Sequence, residues 1–477
     1  MNILFVASES FPFVKTGGLA DVAFALPKAL RKIGIDARVI LPKYDAIPSY
    51  FKSKMHHIDN FEIPVGWRQR YCGLEYLEHD SVPFYFIDNE YYFRRNNIYG
   101  YYDEAERFGY FSRAVLEAIH YMGSFTPNII HCNDWQTGVI PVILKDVFRF
   151  SERHCNIKTI FTIHNLKYQG TFDKDILSEI LCLNPGYFNE DALKLYDGVS
   201  FMKGGIIFSD KISTVSNSYA SEIQSPSFGE GLDGLLKCRS QDLWGIVNGI
   251  DYDVYNPATD INIEIHYDSE KFYNKFQNKL YLQKMLNIPE SQEIPLIGIV
   301  SRLVDQKGFD LISCIMEDLL QDNIQLVILG TGDERYENMF RYFAEKYPNK
   351  LSINLQFDNS LAQKIYAASD MFLMPSLFEP CGIGQLIALR YGSIPITRET
   401  GGLRDTVQSF DETSGQGNGF TFKNYDSNDM LYTIRRAEYF YYNRKDIWRS
   451  LVQSAMKEDN SWDKSAHKYA ELYSYLC

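Results

Sequence analysis

The chain has 477 residues and a formal net charge of −13, with 45% hydrophobic and 23% charged residues. This length exceeds what a single hydrophobic core usually holds, so we expect at least two domains of an ordinary globular protein. The negative charge argues against nonspecific binding to nucleic acid or to a membrane surface.

Cysteine usage and the N-terminus bear on the compartment. The eight cysteines are scattered without a CxxC pair, which argues against a zinc site or a disulfide scaffold and fits a reducing cytosol. The first residues lack the basic segment of a leader peptide, and no apolar run approaches the roughly 18 residues of a membrane span. We therefore expect a cytoplasmic protein that has no metal site.

The N-terminal part begins with an apolar run at residues 3–7, which predicts a buried parallel strand. A loop at residues 15–21 (KTGGLAD), an amphipathic helix to about Lys32 and a second strand at residues 36–41 follow. This order, with glycines at the helix entrance, is typical of a mononucleotide-binding fold. The loop has neither the dinucleotide nor the P-loop pattern. Lys15 beside its glycines is a candidate to bind a phosphate, or else a surface lysine in a turn.

Two later strands are predicted to end in polar candidates. One strand leads to Asp134 and the other to His164. A lone histidine at a strand end is more often structural, but two such ends favour the crevice where a doubly wound sheet binds its ligand. Residues 91–102, rich in Tyr, Arg and Asn, predict a long surface loop that could supply an acceptor surface. The strand-like runs of this part lie at residues 84–87, 128–131, 158–163 and 211–215.

A second β–α series begins at Ile294, after a polar helical segment at about residues 269–286. We place the N-terminal domain at residues 1–245, the C-terminal domain at 246–460 and a final helix at 461–477. The strands of the second series are predicted at residues 295–300, 325–329, 352–356, 371–374 and 394–397.

The second series carries groups suited to a phosphate and a sugar. Arg302 and Lys307 follow the first strand of this series, on either side of a turn. The planar guanidinium of the arginine and the compact ammonium group of the lysine can converge there on one diphosphate. A solvated basic turn is the alternative. Glu379 is a lone carboxylate that can act as acid, base or nucleophile. Glycine-bearing loops at residues 382–384 and 400–402 allow backbone amides to approach an anion.

Several motifs occur along the chain in a characteristic order. They closely resemble those of the bacterial and plant glycogen and starch synthases, retaining glycosyltransferases of the GT-B fold. In that α/β fold, two Rossmann-like doubly wound domains face each other across a cleft. The motifs lie at residues 15–22 (KTGGLADV), 131–138 (HCNDWQTG), 161–170 (FTIHNLKYQG), 228–235 (FGEGLDGL), 244–255 (WGIVNGIDYDVY), 301–308 (SRLVDQKG), 379–382 (EPCG) and 400–407 (TGGLRDTV).

The resemblance implies transfer of glucose from a nucleotide sugar, usually ADP-glucose, to the non-reducing end of an α-1,4-glucan such as glycogen. It implies no cofactor, an acceptor side in the N-terminal domain and a donor side in the C-terminal domain. Arg302 and Lys307 would bind the diphosphate, Glu379 the hexose hydroxyls, and His164 would line the hexose pocket with Asp134 nearby. The other implied donor-binding residues are Lys15, Gly17, Gly18, Asp21, Asn248, Cys381, Gly382, Gly384, Thr400 and Gly401.

The chain departs from related patterns at two positions. Many retaining enzymes of this fold carry a second Glu eight residues after the first, where this chain has Ile387, so a two-glutamate mechanism has no basis. Several bacterial relatives have Thr where this chain has Gly384, and we expect little loss because the backbone amide remains. We favour same-face transfer, in which a diphosphate oxygen assists the incoming hydroxyl, over double displacement.

Three alternative functions remain open at the sequence level. Another transferase of the same fold, using UDP-glucose, would share Arg302, Lys307 and Glu379 but not KTGGLADV. A glucan phosphorylase would need a lysine that forms a pyridoxal Schiff base. A non-catalytic glucan-binding protein would have no use for the two cations that we assign to the diphosphate.

Overall fold

A computed structural model describes all 477 residues of the chain. The strands are β1 (Asn2–Val6), β2 (Asp36–Pro42), β3 (His56–Val65), β4 (Arg68–His79), β5 (Val82–Asp88), β6 (Ile129–Asn133), β7 (Lys158–Ile163), β8 (Thr171–Phe172), β9 (Lys194–Leu195), β10 (Gly198–Ser200), β11 (Lys211–Thr214), β12 (Leu243–Gly245), β13 (Leu296–Val300), β14 (Gln325–Leu329), β15 (Leu351–Asn354), β16 (Met371–Met374), β17 (Ile394–Arg398) and β18 (Phe420–Phe422).

The α-helices are interleaved with these strands. They are α1 (Gly18–Lys32), α2 (Ser49–Lys52), α3 (Glu90–Phe93), α4 (Glu104–Ala118), α5 (Ile140–Asp146), α6 (Ile176–Glu179), α7 (Phe201–Phe208), α8 (Asn217–Glu222), α9 (Asp233–Cys238), α10 (Lys275–Met285), α11 (Phe309–Gln321), α12 (Glu334–Lys346), α13 (Asn359–Ala368), α14 (Gly384–Arg390), α15 (Gly401–Thr406), α16 (Ser427–Asn443), α17 (Lys445–Lys457) and α18 (Trp462–Ser474). No helix is long and apolar enough to cross a membrane.

The chain forms two compact units. The first comprises residues 1–248 together with residues 462–477, and the second comprises residues 249–461. Helix α18 therefore belongs to the first unit, where it packs against α1. The apolar stripe of α18 explains this placement, because Ala466, Tyr469, Leu472 and Tyr473 are buried in the core of the first unit.

The first unit is built on a nine-stranded sheet in the order β12-β11-β7-β6-β1-β2-β5-β4-β3. The strands from β12 to β5 are parallel, and β4 and β3 extend the edge as an antiparallel hairpin. The central strand β1 is buried along almost its whole length. Such apolar runs are what a parallel sheet covered on both faces requires.

The second unit contains a six-stranded parallel sheet in the order β15-β14-β13-β16-β17-β18. Strand β13 pairs with β14 on one side and with β16 on the other. Strand β16 pairs in turn with β17. The loops that follow β13, β16 and β17 consequently leave the sheet at one edge, next to one another.

Every strand predicted from an apolar run is present, with ends displaced by at most a few residues. The hairpin β3–β4 and the short edge strands β12 and β18 were not predicted. The prediction of a long surface loop at residues 91–102 was wrong in its first part, because the segment begins with α3. Tyr92 and Phe93 are buried, and Arg107 of α4 donates hydrogen bonds to the carbonyls of Tyr92 and Ile98.

Candidate functional site

The candidate residues of the first unit lie at the carboxyl ends of its parallel strands. The loop with Lys15 follows β1, Asp134 follows β6 and His164 follows β7, and these three strands are neighbours in the sheet. Asn248 follows β12, at the far end of the same sheet. Its side chain is buried, and its Oδ1 has no hydrogen-bond partner.

The glycine-rich loop after β1 is held by a glutamate that the motifs did not single out. Glu9 Oε2 accepts hydrogen bonds from the Thr16 amide (2.6 Å) and the Thr16 hydroxyl (2.8 Å). Lys15 Nζ lies 2.8 Å from Asp21 Oδ1. The lysine that we predicted to bind a phosphate therefore already forms an ion pair. Burial raises the pKa of Glu9 to about 7. Gly17 precedes the first residue of α1, so the helix begins inside the segment predicted as a loop to Asp21.

Asp134 and His164 belong to one hydrogen-bonded group. Asp134 Oδ1 accepts from the His164 amide (2.7 Å) and the Asn165 amide (3.3 Å). The His164 ring contacts Asn133 Oδ1 through Nε2 at 2.8 Å. Burial lowers the pKa of His164 to about 3, so its imidazole is neutral at neutral pH. Asp134 thus orients the backbone that carries His164. Because the neutral ring donates from Nε2 to Asn133 Oδ1, its Nδ1 can accept one further hydrogen bond.

The partly buried carboxyl of Asp134 leads to a prediction about pH. Burial raises the pKa of Asp134 to about 7 from an ordinary value of 3.8, so the folded state retains a proton that the unfolded chain releases. This contribution to stability is complete below about pH 4 and is lost as the pH rises through about 7. An amide at this position still accepts both hydrogen bonds. Asp134→Asn should therefore gain stability relative to the wild type as the pH rises from about 4 to 7, by about 1–3 kcal/mol.

Thermal unfolding at several pH values checks this prediction. Asp318→Asn, which changes an exposed carboxylate on α11, is the control and should shift stability equally at all pH values. A difference between Asp134→Asn and the wild type that does not vary with pH would contradict the prediction.

In the second unit, the loops after β13 and β16 meet through an ion pair. Lys307 Nζ lies 2.6 Å from Glu379 Oε2, and the Ser376 hydroxyl donates to the same oxygen at 3.1 Å. The Glu379 side chain is 8% exposed and that of Lys307 18%. Because both side chains are largely shielded from solvent, the two charges attract each other more strongly than they would in water. The sequence alone suggested that Glu379 is a lone carboxylate, but in the structure it has both a cation and a hydroxyl as partners.

Arg302 lies in the loop after β13 and is exposed, and its guanidinium forms no ion pair. An exposed guanidinium in the same loop as Lys307 is suited to bind an incoming anion through two parallel hydrogen bonds. If it binds a diphosphate, Arg302→Ala should lower kcat/KM for the donor about 10- to 100-fold with little change in stability.

Initial rates over a range of donor concentrations measure this effect. Arg341→Ala is a matched control, because Arg341 lies on the surface of α12 in an ion pair with Glu337. An equally small effect of both variants on kcat/KM would contradict the assignment of Arg302 to the diphosphate.

The two glycine-bearing loops of the second unit pack directly against each other. The Gly402 amide donates to the Glu379 carbonyl at 3.0 Å. Gly401 has a positive φ of 45°, and a Cβ there would lie 2.0 Å from the same carbonyl oxygen. Gly382 also has a positive φ, and Gln385 Nε2 donates to the carbonyls of Cys381 and Gly382. These glycines are needed for loop packing whether or not a phosphate binds there.

The remaining predicted donor residues lie in the same loops. Thr400 precedes the first residue of α15, and Gly384 is the first residue of α14. No group of three or more His, Cys, Asp or Glu side chains is arranged to hold a metal ion. The structure brings together Lys307 and Glu379, and separately Asp134 and His164. Glu9, Asn133 and Ser376 were not predicted.

Family models match both parts of the chain. A model described as starch synthase catalytic domain matches residues 2–238. A second model, glycosyl transferases group 1, matches residues 284–440.

Curated relatives match along the whole chain. Glycogen synthase of Clostridium acetobutylicum is 69% identical over 473 residues, which cover 99% of each chain. Glycogen synthase of Clostridium novyi is 59% identical over 476 residues, which cover 100% of this chain and 99% of the relative.

Solved structures agree with these matches. The catalytic domain of starch synthase IV from Arabidopsis thaliana, bound to ADP and acarbose, superposes with a TM-score of 0.94 and 35% identity over 99% of each chain. Sucrose-phosphate synthase from Thermosynechococcus elongatus has a TM-score of 0.63 and 16% identity, covering 100% of this chain and 98% of its own, and shares the fold.

Proposed function

Because this chain belongs to the glycogen synthase family of glucosyltransferases with the two-domain GT-B fold, we propose that it elongates glycogen. It transfers glucose from ADP-glucose to the non-reducing end of an α-1,4-glucan, with retention of configuration at the anomeric carbon. The solved relative that contains ADP supports an adenine nucleotide as the leaving group.

The ion pair between Lys307 and Glu379 is the observation that carries this proposal. It places a cation and a carboxylate at the adjacent carboxyl ends of β13 and β16. A departing nucleoside diphosphate needs a cation to offset its growing negative charge, and hexose hydroxyls need an acceptor to orient them. Lys307 and Glu379 supply these groups side by side.

We assign the protein's contribution to binding and electrostatics. Lys307 and Arg302 bind the diphosphate, and Glu379 accepts from glucose hydroxyls. Glu379 Oε2 takes the bonds from Lys307 and Ser376. We assign this ion-paired carboxylate to binding glucose and favour same-face transfer over a covalent glucosyl-enzyme. The neutral imidazole of His164 is suited to hydrogen-bond a hexose hydroxyl.

Product analysis tests the proposed function. The protein is incubated with ADP-glucose labelled in the glucose and with a short α-1,4-glucan, and the elongated products are digested with an exo-acting enzyme that removes terminal α-1,4-linked glucose. We expect the label to be incorporated and then fully released. Label that resists this digestion, or that appears only as free glucose, would refute the proposal.

A further inference from the structure

A chain of hydrogen bonds between buried side chains runs through the first unit from its C-terminal helix. The hydroxyl of Tyr473 on α18 lies 2.8 Å from His131 Nδ1 on β6. His131 Nε2 lies 2.6 Å from Thr162 Oγ1 on β7, and Thr162 Oγ1 lies 2.6 Å from Ser213 Oγ on β11. All four side chains are buried. These hydrogen bonds therefore connect the last helix to three neighbouring strands.

This series of hydrogen bonds lies one step before the candidate residue His164 along strands β6 and β7. His131 precedes Asn133 by two residues, and Thr162 precedes His164 by two residues. Alternate residues of a strand point to the same face. The contact between His131 and Thr162 is thus followed on that face by the contact between Asn133 Oδ1 and His164 Nε2. Two successive side-chain bridges connect β6 with β7, and the second one holds the His164 ring.

We propose that Tyr473 is a positioning residue for His164, acting through His131 and Thr162. This inference rests on the proposed function, in which His164 lines the hexose pocket. It assigns a role in glucose transfer to a residue that the sequence motifs leave out and that lies near the end of the chain.

The chemistry of the His131 ring explains how a lost hydroxyl would be transmitted. Burial lowers the pKa of His131 to about 3, so the ring is neutral and must donate through one nitrogen and accept through the other. Without the Tyr473 hydroxyl, Nδ1 would be left without its partner in a water-free surrounding. A ring that turns to regain a partner changes its bond to Thr162, and with it the spacing of β6 and β7 below His164.

Packing and hydrogen bonding can be separated on α18. Tyr469, one turn before Tyr473, also places its ring near His131, with ring centroids 5.5 Å apart compared with 5.9 Å for Tyr473. The bond to His131 Nδ1 comes from Tyr473. Tyr473→Phe removes that bond and keeps the ring, whereas Tyr469→Phe is a matched change that leaves the bond in place.

The experiment is a double-mutant cycle on the full-length chain. We measure kcat, KM for ADP-glucose and the thermal midpoint for Tyr473→Phe and Tyr469→Phe, each in the wild type and in His164→Ala. We expect Tyr473→Phe to lower kcat about 10-fold in the wild type and less than about 2-fold in His164→Ala, because its effect passes through that ring. Tyr469→Phe should change kcat less than about 2-fold in both.

A second pair of variants covers the case in which Tyr473→Phe does not fold. Thr162→Ser keeps the hydroxyl and should retain activity, whereas Thr162→Val should lose kcat and should lose it only when His164 is present. The proposal is overturned by normal kcat in Tyr473→Phe or Thr162→Val, or by a loss of equal size in His164→Ala. A wild-type chain that transfers no glucose would instead refute the proposed function.

Discussion

Replacing Lys307 by alanine should lower kcat about 100- to 1000-fold, the largest effect that we expect from a single change. The substitution removes the ammonium group that we assign to the diphosphate. It also leaves the nearly buried carboxylate of Glu379 without its cation at 2.6 Å. We expect the variant to fold, with a free energy of unfolding about 1–3 kcal/mol lower than that of the wild type.

Initial rates of nucleotide release with a saturating glucan measure this loss. Lys346→Ala is the control, because Lys346 forms an ion pair with Glu317 at 2.8 Å on the surface of the same unit. Exposed pairs of that kind contribute little, so its kcat should stay near that of the wild type. Near-normal turnover in both Lys307→Ala and Arg302→Ala would contradict the phosphate assignment.

Replacing Glu379 by glutamine should lower kcat about 100-fold. The amide keeps the shape of the side chain and can accept from Ser376, but it loses the charge that balances Lys307 and the strong acceptor for sugar hydroxyls. Lys307 would then hold an uncompensated positive charge in a largely buried place. We expect the effect mainly in kcat, because charge at the sugar and the diphosphate changes most in the transition state.

A double variant of Lys307 and Glu379 tests whether the two residues act together. If they form one functional unit, Lys307→Ala combined with Glu379→Gln should be little worse than Lys307→Ala alone. Glu317→Gln on the exposed pair is the matched control. Fully additive losses would indicate that the observed ion pair is unrelated to turnover.

Most of the parallel strands of both sheets were predictable because they are short, buried apolar runs. Their ends were predictable because polar residues bound those runs. His164 was predicted from its position after β7, and the loop with Arg302 and Lys307 from its position after β13. The hairpin β3–β4 was missed because its strands are long and partly exposed and carry many polar residues. Strand β18 is three residues long, too short for a periodic signal.

Side-chain partners were less predictable than elements. Lys307 and Glu379 are 72 residues apart, and nothing in either motif identifies the other as its partner. Glu9 lies seven residues before Thr16, and its hydrogen bonds depend on the path of the intervening loop. Tyr473 and His131 are separated by 342 residues. Such contacts arise from tertiary packing, which a single sequence does not record.

The glycines of the second unit show how one pattern can have two physical causes. The sequence suggested that residues 400–402 let the backbone approach a ligand. In the structure, Gly401 and Gly402 let that loop pack against the backbone of Glu379 and Cys381. Both requirements favour glycine, so the pattern alone does not separate them. The donor-binding roles of these residues stay a prediction.

Nucleotide release from a panel of donors tests the central claim most directly. The chain is assayed with ADP-glucose, UDP-glucose and GDP-glucose, each with and without glycogen. We predict rapid ADP release from ADP-glucose that depends on glycogen, and release from the other donors at least about 10-fold slower. No release from any donor in the presence of glycogen would contradict the claim and would indicate a protein that only binds glucan.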